Sequence, residues 1–270
     1  MIGKTHRLGG LTVGLAVPLV CHFADTDFSL LETFSFTTGA ALGSLIPDID
    51  HQGSMIGQKV KPLSILIRKT CGHRGVTHWL ITLIAYGLVT FLLSEGVLNA
   101  LQRKHSSNLI ALFVGCILGL ATTFILTILK RFVKKKFLPK KKILLFGIIA
   151  FVLGCFTTKV FPKFVSIQIQ ALLIGSIFGY ADHLYLDAYN VSGIALFQPF
   201  SSWVLHLGHV RTGSNWNNHK PNDTEEDRKK AKGLGEEFVF KLHAFLFSFL
   251  LVVTLILKGG FYFEFLSELI

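Results

Sequence analysis

Residues 109–160 of this chain read LIALFVGCILGLATTFILTILKRFVKKKFLPKKKILLFGIIAFVLGCFTTKV. Two apolar runs, 109–129 and 143–160, flank a loop, 130–142, that carries eight lysines and arginines. A helix needs about 20 mainly apolar residues to cross the hydrocarbon of a bilayer, so each run predicts one transmembrane helix. Loops rich in Lys and Arg stay on the cytoplasmic side, so this loop also predicts the orientation of both helices.

The same pattern recurs on both sides of this stretch, with further apolar runs at 8–24, 33–47, 79–94, 164–181 and 238–257. Only 16% of the residues are charged, against about 25% in soluble domains. The chain therefore predicts an all-α, polytopic transmembrane helical bundle with about six to seven spans, a single integral membrane domain over 1–270, and a place in the cell membrane.

Several segments do not fit a complete span. The run 33–47 is short and predicts a half-span packed against protein. The stretch 191–210 is broken by Gly193 and Pro199 and predicts an interfacial or re-entrant segment. The polar stretch at about 211–237 predicts a cytoplasmic loop with a short helix.

The formal net charge of +11 would suggest nucleic acid in a soluble protein. Here the basic residues lie mostly in loops between apolar runs, which favours contact with anionic membrane lipid. Membrane lipid is therefore the expected partner, and nucleic acid is not expected.

Histidines and aspartates cluster in four short stretches, each next to an apolar run. They are His6, Pro47-Asp48-Ile49-Asp50-His51, His73-Arg74-Gly75-Val76-Thr77-His78, and Asp182-His183 with Asp187. Ionisable groups beside hydrocarbon are costly unless they pair or bind something. Counting helices outward from loop 130–142 places all four stretches on the cytoplasmic face, which predicts one shared site.

Each stretch also has a simpler structural interpretation. His183 and Asp187 lie one helical turn apart, where they could hold a metal ion or merely bond to each other. The aspartates at 48 and 50 could cap a turn. Thr77 could cap a helix that begins near His78, and Arg74 could contact lipid headgroups or stabilise an oxyanion.

Taken together, the stretches offer eight candidate ligands, enough for two ions: His6, Asp48, Asp50, His51, His73, His78, His183 and Asp187. Mixed imidazole and carboxylate ligands suit zinc, manganese or iron. Of the four cysteines, only Cys71 lies close to these stretches in sequence, and no CxxC pair or disulfide framework is present.

In this order, the motifs PDIDH, HRGVTH and GYADHLYLD, preceded by His6, resemble the YdjM-like, LexA-regulated, membrane-bound metal-dependent hydrolases. The resemblance spans residues 1 to about 215, although Trp79 stands where that family usually has Ser. It implies a metal-dependent hydrolase with His6, Asp48, His51, His73, His78, His183 and Asp187 at the metal. Asp50 would be a general base and Arg74 an oxyanion ligand, with a small or lipid-like ester or phosphoester as substrate.

Two other functions remain open from the sequence. A non-enzymatic metal-binding protein or a metal-ion transporter would use the same ligands, although a transporter should place them near the bilayer midplane. A scaffold that merely closes its helix ends with polar residues would need no ion.

Overall fold

The computed structural model of the chain describes residues 3–71, 75–102, 139–190, 193–208 and 225–268, with short pieces between 108 and 126. The side chains of 71, 97–102, 225–236 and 259–268 lie outside the description. Within the described residues the regular elements are helices, and one isolated bridge joins Ile194 to Leu205. The prediction of an all-α fold is confirmed.

The described residues form eight α-helices and two 3₁₀ helices. The α-helices are α1 (Gly3–Phe23), α2 (Leu30–Gly43), α3 (Met55–Lys59), α4 (Lys61–Cys71), α5 (Leu80–Gln102), α6 (Lys140–Val160), α7 (Pro162–Ala188) and α8 (Glu225–Glu268). The two 3₁₀ helices are Pro47–Asp50 and Val76–His78.

Three helices of the described part are long and apolar enough to cross a bilayer: α6, α7 and the Glu237–Lys258 part of α8. This is fewer than the six to seven spans predicted. The apolar part of α5, Leu80–Gly96, is too short, α2 has only 14 residues, and most of the run 109–129 lies outside the described residues. Membrane location is supported, with fewer spans in the described residues than predicted for the whole chain.

The structure agrees with the sequence prediction for some of the segments that were not predicted as complete spans and differs from it for others. Helix α2 covers most of the run 33–47 and is short, as expected for a half-span. Residues 193–208 contain no helix. From Glu225 onward, the polar stretch belongs to α8, which continues into the last span without a break, and residues 211–224 lie outside the described residues. Most of the basic loop 130–142 lies outside the described residues.

Packing divides the chain into two compact units. One comprises Met1–Phe91 with Ala171–Ile270, and the other is Leu92–Gln170. The division falls within α5 and within α7. All the described candidate site residues belong to the first unit.

Within the first unit, α2 and α7 approach each other through paired small residues. Each helix carries a Gly-x-x-x-Gly motif, Gly39 to Gly43 on α2 and Gly175 to Gly179 on α7. A Cβ atom at any of these four glycines would collide with a backbone carbonyl of the facing helix. Small residues at this spacing let two helix backbones pack closely in a membrane. This crossing brings the end of α2 against the last turns of α7.

The core beyond this crossing is built on the C-terminal half of α7, where Tyr180, Leu184 and Ala188 are buried together with Ile194. Tyr86 of α5 packs on this cluster, and its hydroxyl lies 2.8 Å from Ser176 Oγ of α7. The N–H of Leu80 donates to the carbonyl of Leu196 over 2.8 Å. These contacts hold the start of α5, and with it the preceding 3₁₀ helix, beside α7.

Candidate metal centre

Five of the predicted ligands converge in the first unit although they come from four separate elements. They are His6 of α1, Asp48 and His78 of the two 3₁₀ helices, and His183 and Asp187 of α7. The donor atoms form two overlapping groups, each lying within 4.8 Å of one another: His6, His183 and Asp187, and Asp48, His78 and His183.

The separations between donor atoms match those around a small metal ion. Asp187 Oδ1 lies 3.3 Å from His6 Nε2, and Asp187 Oδ2 lies 3.5 Å from His78 Nε2 and 3.8 Å from His183 Nε2. Asp48 Oδ1 lies 3.9 Å from His183 Nε2. Ligands about 2.0–2.1 Å from a tetrahedral zinc ion are about 3.3 Å apart, so modest movement would complete such a sphere.

His183 is held in the tautomer that a metal ligand needs. Its Nδ1 donates to the carbonyl of Ser44 over 2.7 Å, and Ser44 is the residue that ends α2. The proton therefore sits on Nδ1, and the lone pair of Nε2 points into the centre. Nε2 is buried and has no hydrogen-bond partner in the described part of the chain. A buried acceptor of this kind needs a partner, such as a water molecule or an ion.

His78 is positioned by its neighbour Thr77 and by Asp50. The Thr77 hydroxyl donates to Asp50 Oδ2 over 2.8 Å and lies 3.0 Å from His78 Nδ1. The hydroxyl of Tyr180 in turn donates to the Thr77 carbonyl. Burial disfavours the imidazolium form of His78, but hydrogen bonds to Asp187 and Asp50 and their negative charges prevail and raise its pKa to about 9. The centre is therefore an environment that favours a cation.

His6 stacks on His183, with ring centroids 3.7 Å apart and an angle of 15° between the ring planes. Neither ring nitrogen of His6 makes a hydrogen bond with the described residues, although Nε2 approaches Asp187. His6 and His183 nevertheless share one donor group with Asp187.

Most of the described donor side chains are buried. The side chains of His6, His78 and His183 are at most 1% exposed, whereas that of Asp48 is 14% exposed. Among the five described donors, Asp48 is therefore the one most open to solvent.

Other predicted residues lie elsewhere. His51 belongs to neither donor group, and its ring lies near Gly53. The buried Asp182 faces Gly9 of α1, and its Oδ2 has no hydrogen-bond partner among the described residues. His73 and Arg74 lie outside the described residues, and so does the side chain of Cys71.

Sequence reasoning missed the parts that orient the ligands. The carbonyl of Ser44 carries no side-chain signal, so only the fold reveals its role. Thr77 was expected to cap a helix, but α5 begins at Leu80 and the Thr77 hydroxyl bonds to Asp50 instead. The two Gly-x-x-x-Gly motifs were visible in the sequence and could have predicted the contact between α2 and α7.

Comparison with known proteins supports a family relationship over the first part of the chain. Residues 1–131 match the family model described as YdjM inner membrane protein. The protein YvsG of Bacillus subtilis (strain 168), described as uncharacterized, is 31% identical over 112 residues, which are 41% of this chain and 65% of YvsG. The resemblance predicted from the motifs is confirmed for this region.

The inner membrane protein YdjM of Escherichia coli (strain K12) and that of Shigella flexneri are each 48% identical over 54 residues, which are 20% of this chain and 27% of each relative. The matches thus span less than two thirds of each of these relatives. No solved structure matches the chain. The family match includes His6, Asp48 and His78 but ends before His183 and Asp187.

Proposed function

We propose that this chain, which shares residues 1–131 with the YdjM inner membrane protein family, is a membrane-bound metal-dependent hydrolase that cleaves an ester or phosphoester. One observation carries the proposal: the fold brings five potential ligands from positions 6 to 187 to one point and turns the free Nε2 of His183 toward the two aspartates. A merely structural cluster of polar helix ends would have no need for an unpartnered buried imidazole nitrogen.

The donor set supports zinc or manganese, because it mixes imidazole nitrogen with carboxylate oxygen. The arrangement also supports two ions. A single lone pair on His183 Nε2 cannot serve both donor groups, whereas Asp187 turns one oxygen to His6 and the other to His78 and His183.

A bound divalent ion would supply Lewis acidity and a nucleophile derived from water. Different residues of the chain would have different roles beside the bound ion. Asp48, on the accessible side, is placed to orient an incoming water or substrate. Asp50 and Thr77 hold His78, so the contacts of Asp50 support a positioning role, and its action as a general base remains a prediction. Arg74 remains the candidate for stabilising an oxyanion.

We place the centre on the cytoplasmic face, because the positive-inside rule orients the neighbouring loops in that way. The substrate class remains a small or lipid-like ester or phosphoester. A centre near the end of a spanning helix is within reach of molecules that lie at the membrane surface.

The alternative function is a non-enzymatic metal-binding membrane protein or a metal-ion transporter. The nearly complete burial of His6, His78 and His183 favours this alternative, since structural metal sites are closed and catalytic sites keep one position open. The partial exposure of Asp48 favours the hydrolase.

Metal analysis followed by a hydrolysis assay tests the proposal. The protein is purified in mild detergent, and bound zinc, manganese and iron are measured by mass spectrometry in wild type, His183→Ala and Asp48→Ala. The exposed His206 gives the control His206→Ala. We expect metal in wild type and in the control, and little in the two site variants. Near-zero metal in all four proteins would refute the centre.

The same samples are then assayed with bis-p-nitrophenyl phosphate, p-nitrophenyl acetate and phospholipid micelles, with and without added metal. Hydrolysis that requires metal and is lost in His183→Ala supports the enzyme. Bound metal without hydrolysis of any of these substrates would favour the binding protein, and metal uptake into proteoliposomes would favour the transporter.

A further inference from the structure

Helix α4 is amphipathic, and its apolar side faces away from the protein. Ser64 is buried against the rest of the unit, whereas Leu63 and Leu66 are 46% and 59% exposed. Basic side chains flank these leucines and are also exposed: Lys59 just before the helix, and Lys61, Arg68 and Lys69 within it. A helix with an outward apolar stripe between cationic side chains is typical of a helix that lies in the membrane interface.

The position of α4 places this stripe at the depth of the headgroups. Helix α4 packs against the 3₁₀ helix Pro47–Asp50, whose Asp48 reaches His183 near the C-terminal end of α7. Helix α7 has 27 residues and is therefore about 40 Å long, whereas the hydrocarbon is about 30 Å thick. An element beside the last turns of such a span lies near the boundary between hydrocarbon and water.

A second segment, residues 195–207, follows the same end of α7. It exposes aromatic side chains of the kind found at the membrane interface. Phe200 and Trp203 are 81% and 54% exposed, and Phe197 and Leu207 are also exposed. The rings of Phe197 and Trp203 contact each other, with centroids 5.6 Å apart. Aromatic residues, Trp above all, concentrate at the membrane–water interface. Exposed rings in a non-helical segment at the end of a span fit that location.

We propose that α4 and residues 195–207 form an interfacial surface next to the candidate metal centre, and that α4 binds the headgroups of anionic phospholipids there. The leucines enter the outer part of the hydrocarbon, and the four basic residues meet negative headgroups. This role does not depend on a bound metal or on hydrolysis. It predicts that anionic lipid is enriched around α4 relative to zwitterionic lipid.

Tryptophan quenching in nanodiscs tests the proposal. The reporter is Leu66→Trp in a chain in which Trp79, Trp203 and Trp216 are replaced by Phe. Brominated phosphatidylglycerol or brominated phosphatidylcholine is added as the same minor fraction of an otherwise unlabelled bilayer. We expect the anionic quencher to remove at least about twice as much fluorescence as the zwitterionic one. The difference should disappear when Lys61, Arg68 and Lys69 are all replaced by Gln.

Two further single-tryptophan proteins serve as controls for the Leu66→Trp reporter. Leu88→Trp in the same background places the reporter at an exposed apolar position of α5, where both quenchers should act equally. A chain that keeps only Trp203 tests the aromatic segment without altering α4, and either brominated lipid should quench it. EDTA should change none of these values.

Equal quenching of Leu66→Trp by the two lipids would overturn the anionic preference. Quenching of this reporter by aqueous iodide and not by either lipid would place α4 in water and overturn the interfacial surface. Protection from all quenchers, with a crosslinked dimer, would show that a second copy of the chain covers α4 and would equally overturn the proposal.

Discussion

The Nδ1 atom of His183 lies 2.7 Å from the carbonyl oxygen of Ser44, where α2 ends against α7. This bond decides which nitrogen of His183 faces the centre, and it exists because α2 and α7 cross at their glycines. A backbone carbonyl is a fixed acceptor, so the orientation of the ring follows from the packing of two helices. Metal binding by the candidate centre and the packing of α2 on α7 should therefore be lost together.

Gly43→Val tests this coupling. A side chain at position 43 would collide with the carbonyl of Ser176, and forced overpacking of this kind costs about 1–3 kcal/mol. We expect a lower melting temperature together with a loss of bound metal, both measured on protein in detergent. Gly96→Ala is the matched control, because no atom lies within 4 Å of the added Cβ. A Gly43→Val protein with wild-type metal content would contradict the link.

The support of His78 by Thr77 and Asp50 gives a prediction about affinity. Thr77→Val and Asp50→Asn remove or weaken the hydrogen bonds behind His78, and loss of such outer partners lowers metal affinity by about 10- to 100-fold. Competition with a chromogenic chelator measures the dissociation constant. Thr38→Val, at an exposed position on α2, should leave the affinity unchanged. Equal affinity in all four proteins would exclude this role.

Metal binding should stabilise the folded protein. A ligand at 100 times its dissociation constant adds about 2.7 kcal/mol to the free energy of unfolding. We therefore expect EDTA to lower the melting temperature of wild type and to leave that of His183→Ala unchanged. A shift of the same size in both proteins would mean that the stabilising ion binds elsewhere.

Acid should weaken a second polar contact, at the far end of α1 from His6. Asp27 Oδ1 lies 2.5 Å from His22 Nδ1 and 3.8 Å from Lys258 Nζ, and Lys258 also donates to the carbonyl of Phe28. The hydrogen bond to His22 and the charges of His22 and Lys258 lower the pKa of Asp27 below its usual 3.8. A lowered folded pKa adds stability above the unfolded value, and this stability is lost as the pH falls through the folded pKa.

The corresponding variant is Asp27→Asn. Its melting temperature should lie below that of wild type at pH 5, and the two should converge as the pH falls below about 4. Thermal unfolding followed by circular dichroism measures both. A difference that grows toward acid pH would show that the stabilising charge belongs to another group.

Much of this arrangement could be predicted from residue type and position. Long apolar runs predict spanning helices because hydrocarbon excludes unpaired backbone groups, and histidines beside aspartates predict a metal because buried ionisable groups need partners. The described residues contain fewer spans than predicted, since apolar composition alone does not show where a helix ends. The apolar part of α5, for example, falls short of a full span.

The sequence could not predict which of several neighbouring candidate ligands faces the centre. Asp48, Asp50 and His51 lie within four positions, yet Asp48 faces His183, Asp50 bonds to Thr77, and His51 joins neither donor group. Successive residues of a 3₁₀ turn point in different directions, so the partner of each depends on which distant helix packs on that side. No pattern within the segment contains this information.

The sequence by itself determined a helical membrane protein, its likeness to the YdjM family and the residue types from which a metal site could be made. Tertiary structure decided which of these residues meet, because ligands from position 6 to position 187 become neighbours only when α1, α2, α5 and α7 pack together. It also decided the tautomer of His183, through a carbonyl that every residue possesses and that only the helix crossing places within reach.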